Sequence, residues 1–134
     1  MESMKTALIV VDGATVGKIA EMVSASLKGY QTVVRQAESF AGTDLLPAGI
    51  FFLGCESSEP ASFAYIDKML QHINLSGRFC GVFSTNNKAL TYLSKLVKDS
   101  GVGLGEPLLV KDDKDAPGII KKWTQAILNE SSKS

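Results

Sequence analysis

Unbroken apolar segments alternate along this chain with segments in which apolar residues recur every three or four positions. Residues 6–11, 49–54 and 78–83 are dominated by aliphatic and aromatic side chains. Such runs indicate strands that are buried on both faces, as in parallel sheets covered by helices. Residues 32–36 are shorter and more polar, which predicts an edge strand, and residues 107–110 predict a fifth and last strand.

The segments between these strands carry the spacing of amphipathic helices. The first predicted helix begins at Thr15 and closes at Lys28 and Gly29, whereas residues 37–47 predict at most one helical turn. The predicted apolar faces are Val16, Ile19, Ala20, Val23 and Leu27; Phe63, Ile66, Leu70 and Ile73; Ala89, Leu90, Leu93, Leu96 and Val97; and Ile120, Trp123 and Ile127.

Five strands that alternate with helices predict an α/β fold, a three-layer doubly wound parallel sheet in the order 2-1-3-4-5. We expect one domain over residues 5–129, with residues 1–4 and 130–134 as flexible termini. In this order the first and third strands are neighbours, and a crevice opens at their carboxyl ends. The loops that meet there are predicted to be 12–15, 55–60 and 84–88.

Composition narrows the class of function. The chain has 134 residues, 45% of them hydrophobic, and its 14 basic residues balance its 14 acidic ones. Because the basic residues do not cluster, the sequence argues against a nucleic-acid partner. The apolar run near the start is too short for a signal peptide or a membrane span, so we expect a cytoplasmic monomer with no membrane partner.

The cysteines and the single histidine indicate no metal or catalytic site. Their spacing lacks a metal-ligand pattern, and Cys55 and Cys80 are expected to lie about 10 Å or more apart, beyond disulfide reach. Cys80 is predicted to be a core residue and Cys55 a small loop residue, while His72 suits the surface or a helix end and Trp123 the core. No base–nucleophile set is visible, which favours a carrier over an enzyme.

Four segments resemble the short-chain flavodoxin family. They are residues 7–11 with the Gly/Thr turn that follows, the stretch 44–55 that ends in Gly-Cys, the stretch 75–84, and residues 101–110. The resemblance covers most of the chain. It implies a flavoprotein of the flavodoxin-like fold that binds flavin mononucleotide (FMN) and functions in electron transport with redox partner proteins.

The resemblance also implies where FMN would lie. Gly13, Ala14 and Thr15 correspond to the phosphate loop at the start of the first helix, where free amides and the helix dipole favour an anion. The other two loops would frame the flavin ring. The implied cofactor-binding residues are Asp12, Gly13, Ala14, Thr15, Cys55, Glu56, Ser57, Ser58, Ser84, Thr85, Asn86 and Asn87.

Departures from the family pattern keep two alternatives open. The first loop has one hydroxyl, at Thr15, and neither loop 55–60 nor loop 84–88 contains an aromatic residue that could stack on the ring, although Tyr65 could lean over the loop before it. The chain is therefore also interpreted as a flavodoxin-like interaction domain without cofactor. A degenerate receiver domain of phosphorelay signalling is a third hypothesis.

The receiver hypothesis rests on three residues at strand ends. Asp12, Thr85 and Lys111 match the acidic, hydroxyl and lysine positions of such a domain. The phosphate-accepting aspartate expected after the third strand is missing, because Gly54 and Cys55 stand there. Phosphotransfer through a carboxylate beside Mg²⁺ needs that residue.

Overall fold

The computed structural model describes residues 5–98, 100–111 and 114–133. Its strands are β1 (Lys5–Asp12), β2 (Tyr30–Gln36), β3 (Ala48–Cys55), β4 (Phe79–Ser84), β5 (Gly103–Leu104) and β6 (Leu108–Leu109). Its helices are α1 (Ala14–Ser26), α2 (Gly42–Leu45), α3 (Ala64–Gln71), α4 (Asn87–Lys98) and α5 (Ala116–Lys133), and 3₁₀ turns cover Ala37–Ser39 and Ala61–Phe63. Each predicted strand and helix is present, and the segment 37–47 contains only the single α-helical turn α2 and a 3₁₀ turn.

The strands form one parallel sheet in the order β2-β1-β3-β4, and both β5 and β6 pair with the outer edge of β4. This confirms the predicted order 2-1-3-4-5. The last position is divided, however: the Gly105 amide still donates to the Cys80 carbonyl of β4, at 3.0 Å, but residues 106 and 107 interrupt the pairing before it resumes at Leu108. Pro107 has no amide hydrogen to donate to the ladder, and Gly105 lies so close to α5 that a Cβ there would collide with Ile127.

Side chains that alternate along the strands fill a core on each face of the sheet. On one face the strands pack against α1 and α5, with Ile9, Phe52 and Trp123 at the centre. On the other face they pack against α2, α3 and α4, with Phe51, Phe63 and Leu93 buried. Because both faces are covered, residues 7–11 of β1 and most of β3 are buried and apolar, which explains their unbroken hydrophobic runs.

The last helix extends beyond the predicted end of the domain at residue 129. Helix α5 continues to Lys133, so residues 130–133 are helical, while residues 1–4 and 134 lie outside the described residues. Of the charged segment 111–115, the structure describes residues 111, 114 and 115. No helix in the described part of the chain is long and apolar enough to cross a membrane.

Candidate functional site

The three predicted loops meet at the carboxyl ends of β1, β3 and β4. Asp12 pairs with Cys55 across β1 and β3, and Gly54 pairs with Phe83 across β3 and β4. One residue, Gly13, separates β1 from α1, and two residues separate β4 from α4. We call the place where these loops meet the crevice. Its location was predicted from the strand order, and its very short turns leave little backbone to surround a ligand.

Glu56 fills the part of the crevice that faces the start of α1. Its carboxylate oxygen Oε2 accepts hydrogen bonds from the backbone amides of Thr15, at 2.9 Å, and Val16, at 3.3 Å. These amides have no acceptor within the helix, and the helix dipole favours negative charge at that end. The carboxylate of Glu56 therefore satisfies the amides that a bound anion would otherwise contact.

Gly13 allows this contact through both its conformation and its size. Its φ of +131° lies in a region that L side chains rarely adopt, and an ideal Cβ would collide with Oε2 of Glu56. The backbone of Gly13 also accepts the first helical hydrogen bond, from Gly17 N at 3.0 Å. A side chain at position 13 would push the Glu56 carboxylate away from α1.

Asn86 and Ser84 connect the other two loops. The Asn86 side chain donates through Nδ2 to the carbonyl of Glu56, at 2.5 Å, and accepts through Oδ1 from the amide of Ala89, at 2.9 Å. The Ser84 hydroxyl is buried and donates to the carbonyl of Cys55, at 2.6 Å. Asn86 thus caps α4 while it holds Glu56 in place, and the loops are bonded to one another.

Cys55 is a buried thiol at the end of β3. Its Sγ donates to the carbonyl of Ser57, at 3.2 Å. Burial, reinforced by the negative charges of Asp12 and Glu56, raises the pKa of Cys55 to about 12. Burial also raises the pKa of Cys80 above its ordinary range. Both cysteines are free, as predicted, and Cys55 is therefore a neutral packing residue at neutral pH.

The remaining predicted site residues do not enter the crevice network through their side chains. Ala14 is the exposed first residue of α1, Ser57 and Ser58 are exposed, and Asn87 is the exposed first residue of α4. Thr85 faces a different cavity, described below. Asp12 pairs with Cys55 in the sheet, so a thiol stands beside Asp12 where a receiver domain has its phosphate-accepting aspartate. No group of metal-ligating side chains was found among the described residues.

Tyr65 does not supply an aromatic face to the crevice. Its ring lies 6.1 Å from the ring of Phe40, and its hydroxyl lies 3.5 Å from the ideal Cβ position of Gly42, the first residue of α2. The expectation that Tyr65 leans over loop 55–60 is therefore wrong. The cause is tertiary packing, since Phe40 in the loop after β2 provides an apolar partner for the ring.

The residues in the crevice do not fit FMN. The carboxylate of Glu56 stands on the α1 amides, and it would repel a phosphate that carries nearly two negative charges. The Ser84 hydroxyl and both ends of the Asn86 side-chain amide, which could otherwise contact a phosphate, are hydrogen-bonded within the chain. The loops offer no aromatic stacking partner for a flavin ring.

A second cavity borders the crevice at Thr15 and Thr85. We call it the α1–α5 groove. It has a volume of about 650 Å³. Its lining residues are Thr15, Lys18, Ile19, Met22, Thr85, Val110, Lys111, Ala116 and Ile120. Lys18 was not among the predicted site residues, and Lys111 was named only as the lysine position of a receiver domain. Each lies a few residues after the carboxyl end of a strand, Lys18 on α1 and Lys111 after β6.

Comparisons with known proteins give the same fold and little sequence similarity. No protein-family model matches the chain, and no curated protein sequence is significantly similar to it. A short-chain flavodoxin associated with a PDU bacterial microcompartment superposes with a TM-score of 0.83 at 16% identity, covering 96% of this chain and 99% of that one.

Two further solved structures agree. A flavodoxin of Streptococcus pneumoniae TIGR4 has a TM-score of 0.81 and flavodoxin 2 of Bacillus cereus, in its oxidised form, one of 0.79, both at 18% identity and covering 93% of this chain and 99% of theirs. At this level of identity the similarity shows the fold but does not identify a ligand. The chain has the flavodoxin-like fold, as its sequence resemblance implied.

Proposed function

We propose that this chain is a flavodoxin-like domain that functions without FMN, through binding to another protein. One observation carries the proposal: the Glu56 carboxylate accepts hydrogen bonds from the Thr15 and Val16 amides. An internal carboxylate thus supplies the negative charge that the start of α1 favours. The domain can fold with its crevice closed, and no cofactor is needed to satisfy these amides.

The chemistry of the crevice supports binding rather than catalysis. Cys55, the strongest nucleophile present by residue type, is buried and protonated at neutral pH. The single histidine, His72, lies exposed at the end of α3. The loop 56–60 instead offers exposed serines at 57 and 58 and the exposed Glu59, a small polar surface of the kind that contacts a partner.

A titration with FMN tests the cofactor-free state. We expect the purified wild-type protein to be colourless and to show no saturable change in flavin fluorescence or melting temperature up to about 1 mM FMN. Glu56→Ala frees the two amides and removes the repelling charge, whereas Glu56→Gln removes only the charge and keeps the shape. We expect Glu56→Ala to bind inorganic phosphate weakly, and more tightly than Glu56→Gln does.

The partner contact is tested separately with a photo-crosslinking amino acid at Ser58. We expect a discrete adduct from Ser58 and none from the same amino acid at Lys28, an exposed residue after α1. The purified partner should then bind the flavin-free protein and lose affinity when Ser57 and Ser58 are changed to lysine. A partner that binds only after FMN is added would contradict the proposal.

An FMN-binding electron carrier is the second candidate. It is favoured by the close superposition on several flavodoxins over nearly the whole chain. In this case Glu56 would have to leave the α1 amides, and the backbone of Gly13, Ala14 and Thr15 would hold the phosphate. FMN would supply one- and two-electron redox chemistry. A dissociation constant for FMN below about 10 μM in the wild-type protein would establish this candidate instead.

A further inference from the structure

We propose that the α1–α5 groove binds a small organic anion that carries an apolar ring, such as an aryl phosphate or an aryl carboxylate. The proposal concerns a different cavity from the crevice and does not depend on whether the crevice binds FMN. It is carried by the charges, the apolar floor and the size of the groove.

The charge of the groove favours an anion. The charged residues among its described lining are both lysines, Lys18 on α1 and Lys111 after β6. Neither forms an ion pair with a residue in the described part of the chain, where the ion pair found is between Arg35 and Asp44. Two ammonium groups at one cavity attract a carboxylate or a phosphate, and the hydroxyls of Thr15 and Thr85 add hydrogen-bond donors.

The floor of the groove favours an apolar body on the same ligand. Ile19 and Ile120 are buried beneath it, and Val110 is nearly buried. Met22 contributes a flexible thioether side chain that is 38% exposed, and such side chains adapt to aromatic rings. Burial of this apolar surface by a ring makes binding more favourable, and an inorganic ion has no ring to bury it.

The volume of the groove suits a small organic molecule better than a single inorganic ion. Its volume of about 650 Å³ is in the range of small-molecule sites and far exceeds the space of a single phosphate ion. The α1 amides of Thr15 and Val16 are bonded to Glu56, so the anion here would be held by side chains. The site is thereby distinct from the crevice, although Thr15 borders both.

Nuclear magnetic resonance of the ¹⁵N-labelled full-length protein tests the proposal with three probes. Phenyl phosphate has both the charge and the ring, inorganic phosphate has only the charge, and phenol has only the ring. We expect phenyl phosphate to shift the amide signals of Lys18, Thr85, Lys111 and Ala116 saturably, with a dissociation constant of about 1 mM at low salt. We expect each of the other two probes to bind at least about tenfold more weakly.

A pair of charge variants supplies the control. Lys18→Gln with Lys111→Gln should weaken phenyl phosphate at least about tenfold, whereas Lys28→Gln with Lys68→Gln removes the same charge at exposed positions elsewhere and should leave binding unchanged. Shifts that do not saturate by about 20 mM, or that survive the first double variant, would overturn the proposal. Shifts centred on Gly13, Glu56 and Asn86 would overturn it too. Of these outcomes, only this last one would also contradict the proposal that the crevice is closed.

Discussion

The crevice and the α1–α5 groove both border Thr15, and they differ in what their polar groups contact. In the crevice, carboxylate, amide and hydroxyl groups are bonded to one another, as in the contacts of Glu56 with α1 and of Asn86 with Glu56 and α4. In the groove, Lys18 and Lys111 line open space. Polar residues at the crevice therefore hold the loops together, whereas those at the groove are available to a ligand.

This difference shows why the position of a ligand site in a fold does not establish the ligand. The strand order brings three loops together at the expected edge, but hydrogen bonds within the chain then occupy the groups that would bind a phosphate. One fold can carry sites for different ligands, because binding depends on the side chains and hydrogen bonds at the site.

The largest expected effect concerns the thiols. With the pKa of Cys55 raised from 9.0 to about 12, its thiolate population at pH 8 is about 1000-fold below that of an ordinary cysteine. We expect the folded protein to react with a disulfide reagent at least about 100-fold more slowly than the denatured protein, in which both thiols are free to ionise. Rapid labelling of Cys55 at pH 8 would show that the crevice is open.

The same shift has a consequence for stability. Because the pKa of Cys55 is higher in the folded state, the neutral thiol contributes stability that is complete below pH 9 and is lost as the pH rises towards 12. We expect the free energy of unfolding, measured by urea titration, to fall in this alkaline interval. Cys55→Ala should make that fall shallower, and an unchanged slope would contradict the assignment.

Gly13→Ala tests the closest contact in the crevice. The methyl group would force an unfavourable φ and displace Glu56, so we expect a loss of about 2–3 kcal/mol in the free energy of unfolding. Gly17→Ala is the control, because Gly17 is a helical residue with open space at its Cβ position, and it should stabilise by about 0.5–1 kcal/mol. Urea denaturation measures both variants.

A double variant separates the two causes. Gly13→Ala combined with Glu56→Ala removes the collision and leaves the backbone strain, so its cost should be less than the sum of the two single costs. Additive costs would mean that Glu56 does not lie against Gly13.

Asn86→Ala removes the side chain that links β3, β4 and α4. It leaves the Ala89 amide without its cap and frees the Glu56 carbonyl, and we expect a cost of about 1–2 kcal/mol. Asn87→Ala, one residue later at an exposed position, should cost less than about 0.5 kcal/mol. Equal costs, measured by thermal and urea unfolding, would argue against the network.

The groove lysines should have the smallest effect. Lys18 and Lys111 are exposed, so changing both to glutamine should alter the free energy of unfolding by no more than about 0.5 kcal/mol. A loss greater than about 1 kcal/mol in the same urea titration would show that these lysines are structural, and the contrast between the two regions would then fail.

Hydrophobic pattern determined most of the fold. The unbroken apolar runs of β1, β3 and β4 marked a sheet covered on both faces, and the alternation with helices indicated its order. The division of the last strand into β5 and β6 was not predicted, because the interruption at residues 106 and 107 involves contacts with α5, which is distant in sequence. Trp123 Nε1, for example, donates to the Glu106 carbonyl at 2.8 Å.

Sequence pattern alone predicted that the loops 12–15, 55–60 and 84–88 gather at one edge, since the carboxyl ends of parallel strands lie side by side. The contacts that these loops make with one another became visible only in the folded chain. Glu56 and Thr15 are 41 positions apart, and a hydrogen bond between them depends on rotamers and turn lengths that local pattern does not encode. The α1–α5 groove likewise exists only once two distant helices pack on one face of the sheet.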